Sequence, residues 1–431
     1  MLPSVQPGEV TDALPAAGPE KGEPMSAIME DFRKLIVPAM THWSHPGFMA
    51  YFANSSPGPA ILGEMLAAAM NGNGMLWKTS PAVVELEQVA LGWLRQWMGL
   101  PDDFFGLIYD TASVSSMHAI AAAREMADAG VRTRGARPGL VIYTSEHSHS
   151  SIEKGAIALG IGQENVRKVP VDGEFRMRPE ALAEMAAADV AAGRRPFCAV
   201  ATVGTTSTTS IDPVPDVAEI AERHGMWLHV DAAYAGSAAI LPECREILKG
   251  VERAHSMVVN PHKWLFTPMD LSAFYTRRPD ILRRAFSLVP EYLRTAEHPR
   301  IVNLMDYGVP LGRRFRALKL WFTMRYYGRE GLAALIRNHI AWARELAAAV
   351  DADARFERTA PTPFSVVCFR YRGTDDDNRR IMERVNASGD IFLSHTALHG
   401  RITLRIAIGN MDTTREHVMR AWELVKAAAP A

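Results

Sequence analysis

Short runs of β-forming residues alternate with helical stretches from about residue 106 to residue 275, and this alternation constrains the fold more than any other feature. The β-rich runs span 106–109, 140–143, 166–171, 197–203, 226–230, 256–259 and 271–275. Alternation at this spacing is typical of α/β chains with a mostly parallel sheet covered by helices. Such sheets bind ligands at the carboxyl ends of their strands, so we looked for function in the residues that follow each strand.

The pattern differs on both sides of this region. Residues 1–24 are rich in Pro, Gly, Glu and Ala, which indicates an extended arm, and apolar spacing predicts helices at 27–35, 64–70 and 82–98. Beyond Gly312 the pattern predicts a small α+β domain. Its predicted helices are 314–327, 331–350, 378–385 and 414–427, and its predicted strands are 365–371 and 402–408. We place the large domain at 58–318 and the small domain at 319–431.

Charge and cysteine content exclude several classes of protein. The 47 Lys and Arg residues balance 48 Asp and Glu residues, which argues against nucleic acid as a partner. The three cysteines are far apart and form no Cys-x-x-Cys pair, which disfavours a disulfide framework or a zinc site. No leader pattern begins the chain, and no apolar run approaches the ~20 residues of a membrane span. We therefore expect a soluble cytoplasmic protein without a membrane partner.

An aspartate and a lysine each follow a predicted strand. Asp231 comes directly after the run 227–230, and Lys263 follows the run 257–259 within Asn-Pro-His-Lys-Trp. One crossover between neighbouring parallel strands would return both residues to the same sheet edge. Asp231 could equally be the N-cap of the next turn.

Two further segments converge on the same edge. Thr111, Ala112 and Ser113 open a helix, whose free N–H groups suit a phosphate, although helix capping alone also explains them. His147 and His149 follow another strand, where a histidine is often structural. A phosphate cradle, a carboxylate, an imidazole and a lysine together match the needs of pyridoxal phosphate, and no metal is required.

Three segments carry a resemblance to a known family. They are 260–264 (Asn-Pro-His-Lys-Trp), 229–238 (His-Val-Asp-Ala-Ala-Tyr-Ala-Gly-Ser-Ala) and 310–316 (Pro-Leu-Gly-Arg-Arg-Phe-Arg). The chain resembles the group II pyridoxal-phosphate decarboxylases over nearly its whole length, and most of all the aromatic-L-amino-acid decarboxylases. The resemblance implies the PLP-dependent transferase-like fold (fold type I), with a seven-stranded, mostly parallel mixed sheet and a small α+β C-terminal domain. It also implies a homodimer, with residues 1–57 as an arm and dimer strap that lacks the family's first helix.

The resemblance assigns the cofactor site residue by residue. Lys263 would bind pyridoxal 5′-phosphate as a Schiff base, Asp231 would pair with the pyridinium, and His149 would stack on the ring. The other cofactor contacts that it implies are Ala112, Ser113, Asn260 and His262 at the phosphate, Thr206 at the ring's O3′ side, and Ala233 at the opposite ring face.

The resemblance also assigns residues to the substrate and to the reaction. Arg405 corresponds to an arginine near the substrate carboxylate, although a structural ion pair would also explain it. Tyr292 matches a catalytic-loop tyrosine that reaches the partner subunit's site and protonates the α-carbon. Relatives with phenylalanine there, or without the stacking histidine, tend to form an aldehyde. Because the chain keeps Tyr292 and His149, we expect plain decarboxylation.

The implied side-chain pocket favours an aromatic substrate. It includes Trp43, Tyr51, Phe52, Ala53 and Asn54, with Asn73 and Met75 coming from the partner subunit, and Gly312 where relatives that act on histidine carry serine. Walls without a basic residue disfavour glutamate and cysteine sulfinate, whose second acid group would need a cation. Tryptophan, tyrosine, phenylalanine, DOPA and 5-hydroxytryptophan remain. Asn73 could meet a polar group of the substrate or cap a turn.

Other functions fit the sequence less well. An NAD-dependent oxidoreductase needs Gly-x-Gly-x-x-Gly after a strand, and the run 71–76 lacks the third glycine. A non-catalytic binding protein would be expected to have lost some of the residues named above. An aromatic acetaldehyde synthase and a decarboxylase of a non-aromatic amino acid remain as alternatives.

Overall fold

Seven strands form the central sheet of the large domain. The computed structural model describes residues 2–3, 5–288 and 301–430. The strands are β1 Phe105–Tyr109, β2 Leu140–Ser145, β3 Val166–Val169, β4 Arg195–Thr202, β5 Trp227–Asp231, β6 Ser256–Val259 and β7 Ser272–Thr276. Their order is β1-β7-β6-β5-β4-β2-β3. Neighbours from β3 through to β6 pair in parallel, whereas β7 is antiparallel to β1 and to β6. The predicted mostly parallel mixed sheet is confirmed.

Helices cover both faces of this sheet. In chain order the helices up to residue 288 are α1 Glu9–Ala13, α2 Met25–Asp31, α3 Gly58–Met70, α4 Pro81–Met98, α5 Ala112–Ala127, α6 Val131–Arg134, α7 Ser151–Ala158, α8 Pro179–Ala191, α9 Val214–Arg223, α10 Pro261–Trp264 and α11 Pro279–Phe286. Of these, α1 and α2 belong to the N-terminal arm and do not cover the sheet. Every residue of β2 is buried. Val141 and Tyr143 join one hydrophobic cluster, whereas Leu140 and Ile142 join another. Alternate side chains thus enter cores on opposite faces, which explains the almost continuous apolar strands.

The predicted small α+β domain is confirmed. Its elements are α12 Ala317–Ala352, β8 Phe356–Arg358, β9 Val366–Tyr371, α13 Asp375–Ala387, β10 Ser394–Leu398, β11 Arg401–Ala407 and α14 Arg415–Ala428. The strands form a second, antiparallel sheet in the order β10-β11-β9-β8. Helix α12 begins three residues later than the sequence predicts, and a kink at Gly328 (φ 63°, ψ 172°) separates its two predicted halves. Strands β8 and β10 were not predicted.

The N-terminal arm is not simply extended, because α1 lies within residues 1–24. The helix predicted at 27–35 is present as α2 followed by a π-helical turn at Phe32–Ile36. None of these elements has a buried residue. The chain then joins the small domain: Met49 donates to the carbonyl of Phe392 at 2.8 Å, and Ala407 donates to the carbonyl of Met49 at 2.8 Å. These bonds hold the following residues, from Tyr51 onward, between the two domains.

The described helices include none that is long and apolar enough to cross a bilayer.

A buried ion pair stands out in the large domain. Arg313 donates from Nη2 to Glu87 Oε1 at 2.8 Å and to the carbonyl of Ile108 at 2.6 Å. Glu87 Oε1 also accepts from the N–H of Ile108 at 2.9 Å. Since both side chains are buried, this network ties α4 and β1 to the segment before α12.

We predict that Arg313→Leu lowers the free energy of unfolding by about 3–5 kcal/mol, because it leaves the Glu87 carboxylate buried without its cation. The matched control is Arg223→Leu, since Arg223 forms an exposed pair with Glu219 and should cost at most about 1 kcal/mol. Urea denaturation of both variants measures the difference. Equal losses would show that burial of the Arg313 pair does not govern its contribution.

Candidate active site

Two adjoining cavities open at the carboxyl edge of the large sheet. The small cavity has a volume of about 170 Å³ and the large cavity about 750 Å³. The small cavity is lined by Phe52, Thr111, Ala112, Ser113, His149, Thr202, Gly204, Thr206, Asp231, Ala233, Tyr234, Asn260, His262 and Lys263. The large cavity is lined by Trp43, Tyr51, Phe52, Asn54, His149, Thr206, Ser207, His262, Lys263, Met269, Ser394, His395, Thr396 and Arg405. The five residues common to both lists form the boundary between them.

The parallel pairing of β5 with β6 brings Asp231 and Lys263 to one edge. Asp231 is the last residue of β5 and lies opposite Val258 of β6. Two hydrogen bonds fix the turns beyond these strands: Ala233 donates its N–H to Asp231 Oδ1 at 3.1 Å, and Asn260 donates its N–H to the carbonyl of Ala233 at 2.9 Å. The predicted convergence of Asp231 and Lys263 is therefore present in the structure.

One end of the small cavity is suited to an anion. The side chain of Thr111 makes no capping bond at the N-terminus of α5, so the first N–H groups of this helix keep their hydrogen-bonding capacity. His262 Nδ1 accepts from the N–H of Leu271 at 3.1 Å, which leaves the ring hydrogen on Nε2. Burial lowers the pKa of His262 to about 4. The imidazole is therefore a neutral donor near pH 7.

The amine and the second imidazole of the site have perturbed pKa values. Burial lowers the pKa of Lys263, while Asp231 opposes this shift and Arg405 adds to it. Desolvation also lowers the pKa of His149, again opposed by Asp231. His149 Nδ1 lies 2.9 Å from Ser151 Oγ and accepts from the N–H of Ser151, which orients the ring. A lysine amine with a lowered pKa is a better nucleophile at neutral pH.

Asn260 contributes an unsatisfied polar atom to the small cavity. Its buried Oδ1 has no hydrogen-bond partner among the described residues. An orphaned buried acceptor in a cavity wall indicates a site for a ligand. Within the same part of the chain, no cluster of three or more His, Cys, Asp or Glu side chains could hold a metal ion.

Comparison with known proteins identifies the family. Residues 7–372 match the family model described as the pyridoxal-dependent decarboxylase conserved domain. The chain belongs to this family. It is 40% identical to the aromatic-L-amino-acid decarboxylase of Sus scrofa and to the phenylacetaldehyde synthase of Arabidopsis thaliana, in each case over 100% of this chain and 91% of the relative. It is also similar to the Oryza sativa TDC structure with PLP and tryptamine (39% identity, TM-score 0.94, 99% and 92% of the two chains covered).

Pyridoxal 5′-phosphate is the cofactor of this decarboxylase family, and the small cavity fits it. The uncapped first turn of α5 and Nε2–H of His262 suit a phosphate, and Asp231 suits a protonated ring nitrogen. Lys263 supplies an amine for the aldehyde, and Asn260 Oδ1 supplies a free acceptor. The phosphate, the ring nitrogen and the aldehyde of the cofactor thus each have a complementary side chain or backbone group in the lining.

Most residues singled out from the sequence lie in one of the two cavities. The small cavity contains the predicted cofactor contacts Ala112, Ser113, His149, Thr206, Asp231, Ala233, Asn260, His262 and Lys263. The large cavity contains five of the predicted substrate contacts, which are Trp43, Tyr51, Phe52, Asn54 and Arg405. Tyr292 lies outside the described residues.

Four predicted substrate residues, Ala53, Asn73, Met75 and Gly312, do not line either cavity of their own chain. Ala53 is buried in a small cluster with Phe48 and Ala50. A Cβ on Gly312 would lie 3.7 Å from Asn73 Nδ2, and Met75 follows in the same turn. Asn73 Oδ1 accepts from the N–H groups of Arg313 at 2.9 Å and Met75 at 3.2 Å. Asn73 was expected either to contact a polar group of the substrate or to cap a turn. These bonds support the second interpretation. Its role toward a partner subunit stays a prediction.

Sequence reasoning missed one wall of the large cavity. This wall comprises Ser207, Met269, Ser394, His395 and Thr396. The run 394–398 (Ser-His-Thr-Ala-Leu) lacks the apolar alternation that predicts a strand, and its hydrogen-bonded pairing with β11 stabilises it instead. The position of Ser207 next to Thr206 was the only available signal.

We predict that Gly204→Ala lowers both thermal stability and cofactor content. Gly204 has φ +90°, and a Cβ there would lie 2.6 Å from the Cβ of Ala235. Gly193→Ala is the matched control, because Gly193 has φ +75° with nothing within 4 Å. The control should cost about 1–2 kcal/mol from backbone strain alone, with normal cofactor content. Melting temperature and bound pyridoxal phosphate would be measured, and indistinguishable variants would contradict the steric argument.

Proposed function

We propose that this chain decarboxylates an aromatic L-amino acid to the corresponding amine and CO2. The observation that carries the proposal is a buried guanidinium, that of Arg405, which faces an aromatic cavity beside Lys263. The pocket lining, the cofactor site and the names of the relatives support it.

Arg405 provides the reason to expect a carboxylate in the large cavity. Its side chain is only 4% exposed, and its Nη2 is buried without a hydrogen-bond partner. No carboxylate of the described residues pairs with it. A buried cation is costly unless an anion and further hydrogen bonds compensate it, and guanidinium binds carboxylate well. The α-carboxylate of an amino acid fits this requirement, whereas the structural ion pair considered for Arg405 has no support.

The remaining walls favour a flat apolar side chain. The rings of Trp43 and Tyr51 lie 5.8 Å apart and stack, and Phe52 stacks on Tyr234 at 4.0 Å. Apart from Lys263 and Arg405, the described lining offers histidines but no further lysine or arginine. A second acid group on the substrate would therefore lack a permanent cation, which disfavours acidic amino acids.

When bound, pyridoxal phosphate serves as the electron sink for the bond between the α-carbon and the carboxylate. In the proposed mechanism Lys263 would bind the aldehyde carbon through Nζ, with loss of the aldehyde oxygen as water, and Asp231 would hold a proton on the ring nitrogen. The α5 N-terminus and His262 would bind the phosphate, while His149 and Ala233 would hold the ring.

Two residues act on the substrate in this proposal. Arg405 orients the carboxylate before CO2 leaves, and the loop tyrosine Tyr292 donates a proton to the α-carbon afterwards. Neither step requires a metal ion. Tyr292 is assigned through the resemblance to the family alone.

We also propose that the enzyme is a homodimer with active sites at the interface. The arm elements from α1 to the π-helical turn have no buried residue in their own chain. Helix α3 exposes a further row of large apolar side chains, namely Ile61, Leu62, Met65, Leu66 and Met70. Exposed apolar surface of this extent favours a protein partner. A second copy would cover it and could receive Asn73, Met75 and Gly312, which line neither of the two cavities in their own chain.

A product assay tests the proposed function. The holoenzyme is offered tryptophan, tyrosine, phenylalanine, DOPA and 5-hydroxytryptophan, with glutamate and cysteine sulfinate as acidic controls. We expect amine and CO2 from at least one aromatic substrate and none from the acidic ones. Lys263→Ala should be inactive. Turnover of the acidic substrates alone would contradict the proposal.

The second candidate function is aromatic aldehyde synthesis, which the similarity to the Arabidopsis thaliana phenylacetaldehyde synthase favours. We predict that wild-type enzyme forms amine, and that Tyr292→Phe slows amine formation by about 10²- to 10⁴-fold, because the proton donor is lost. In this variant aldehyde appears, with dissolved O2 as the oxidant and release of ammonia. Tyr371→Phe, on β9 away from both cavities, is the control and should behave as wild type. Amine and aldehyde are quantified chromatographically. Unchanged amine formation by Tyr292→Phe would overturn its assignment as proton donor.

A further inference from the structure

Ser207 joins the two domains beside Arg405. It lies in the segment after β4, and its hydroxyl is 2.9 Å from Thr396 Oγ1 on β10. Its carbonyl accepts from Arg405 Nε at 3.1 Å and from the thiol of Cys368 at 3.3 Å. Burial raises the pKa of Cys368 to about 11, so this side chain stays a thiol and can donate. One residue of the large domain thus contacts three strands of the small domain.

A second carbonyl fixes the other edge of the guanidinium. Arg405 Nη1 donates to the carbonyl of Tyr51 at 2.6 Å. Tyr51 has φ 50°, an unusual backbone conformation for a residue with a side chain, and such conformations occur often at binding sites. The ring of Phe52 lies 4.7 Å from Arg405 Cζ. Two carbonyls and one ring therefore fix the plane of the group.

This arrangement selects which donor remains for a ligand. Nε and Nη1 are each used by a carbonyl, and Nη2 is buried and has no partner. Because the guanidinium group is planar and rigid, any rotation of the group would change the direction of all five N–H donors together. The two accepting carbonyls belong to segments that are far apart in the chain, so the direction of Nη2 depends on how these segments are held against the small domain.

We propose that Ser207 and Thr396 are positioning residues that fix the direction of Arg405 Nη2 toward the substrate carboxylate. They act through Arg405 and not on the reacting atoms. The inference rests on the proposed function, because it assumes that Nη2 binds a carboxylate. Loss of the hydroxyl bond should weaken the binding of ligands that carry a carboxylate and spare ligands that carry only the amine.

Thr396→Val tests this in the holoenzyme, since valine keeps the shape of threonine and removes the hydroxyl. Thr403→Val is a closely matched control: Thr403 lies directly opposite Thr396 on β11, and its buried hydroxyl has no partner among the described residues. The probes are 3-phenylpropanoate, which has the carboxylate without the amine, and phenethylamine, which has the amine without the carboxylate. Calorimetry measures both dissociation constants, and kinetics measures KM and kcat.

For Thr396→Val we expect roughly threefold to tenfold increases in KM for the amino acid and in the dissociation constant of 3-phenylpropanoate. The dissociation constant of phenethylamine and the value of kcat should stay within about twofold of wild type. A change of that size is roughly the scatter between such measurements. Thr396→Ser should restore tight binding of the carboxylate. Thr403→Val should leave all four quantities unchanged.

Three results would overturn the inference: equal weakening of both probes, no change for either probe, or the same change in Thr403→Val. Failure of the proposed function is a separate outcome. If wild type turned over no aromatic amino acid, the calorimetric comparison of the two probes would still show whether Thr396 directs Arg405 to a carboxylate.

Discussion

The parallel pairing of β5 with β6 is the constraint on which the active site depends. It places the end of one strand, Asp231, beside the end of the other, and the short helix α10 then presents Lys263 to the same cavity. The hydrogen bonds around Ala233 prevent the two turns from moving apart. The rest of the site is arranged around this edge: α5 supplies backbone N–H groups, and the small domain closes the opposite side.

The site places two basic side chains against one aromatic ring. Lys263 and Arg405 both face the ring of Phe52, at 5.1 Å and 4.7 Å from its centre, and the guanidinium of Arg405 contributes to the lowered pKa of Lys263. Asp231 is the carboxylate that acts on Lys263, and none pairs with Arg405 among the described residues. An aromatic face compensates only part of a buried cation's lost hydration. The cavity is therefore preorganised for anionic ligands, in keeping with a phosphorylated cofactor and an amino acid.

Local sequence signals predicted the large sheet and the edge at which the small cavity opens. Asp231, Lys263 and the α5 N-terminus all lie at or shortly after the ends of strands, so a correct strand assignment places them at one edge. Contacts between distant segments were beyond such reasoning. Strand β10 forms because it pairs with β11, and Asn73 acts as a cap because it accepts from Arg313. Nη2 of Arg405 is unsatisfied because no group of the described residues lies within hydrogen-bonding distance of it. The family resemblance named Arg405 and Asn73 but not the bonds that determine what they can do.

Residues 47–49 are hydrogen-bonded to the small domain: Phe392 donates its N–H to the carbonyl of Gly47 at 2.9 Å, and Met49 bonds to Phe392 and Ala407. This long-range connection has a consequence for folding. Apart from Phe52, the lining of the small cavity comes from residues between Thr111 and Lys263, whereas the large cavity requires Tyr51 and Arg405, which are separated by 354 positions. Closing so long a loop is entropically unfavourable and slows folding. The small cavity can therefore assemble from a continuous stretch of chain, whereas the half of the site that contains Arg405 is complete only after β11 has been made and has closed on Tyr51.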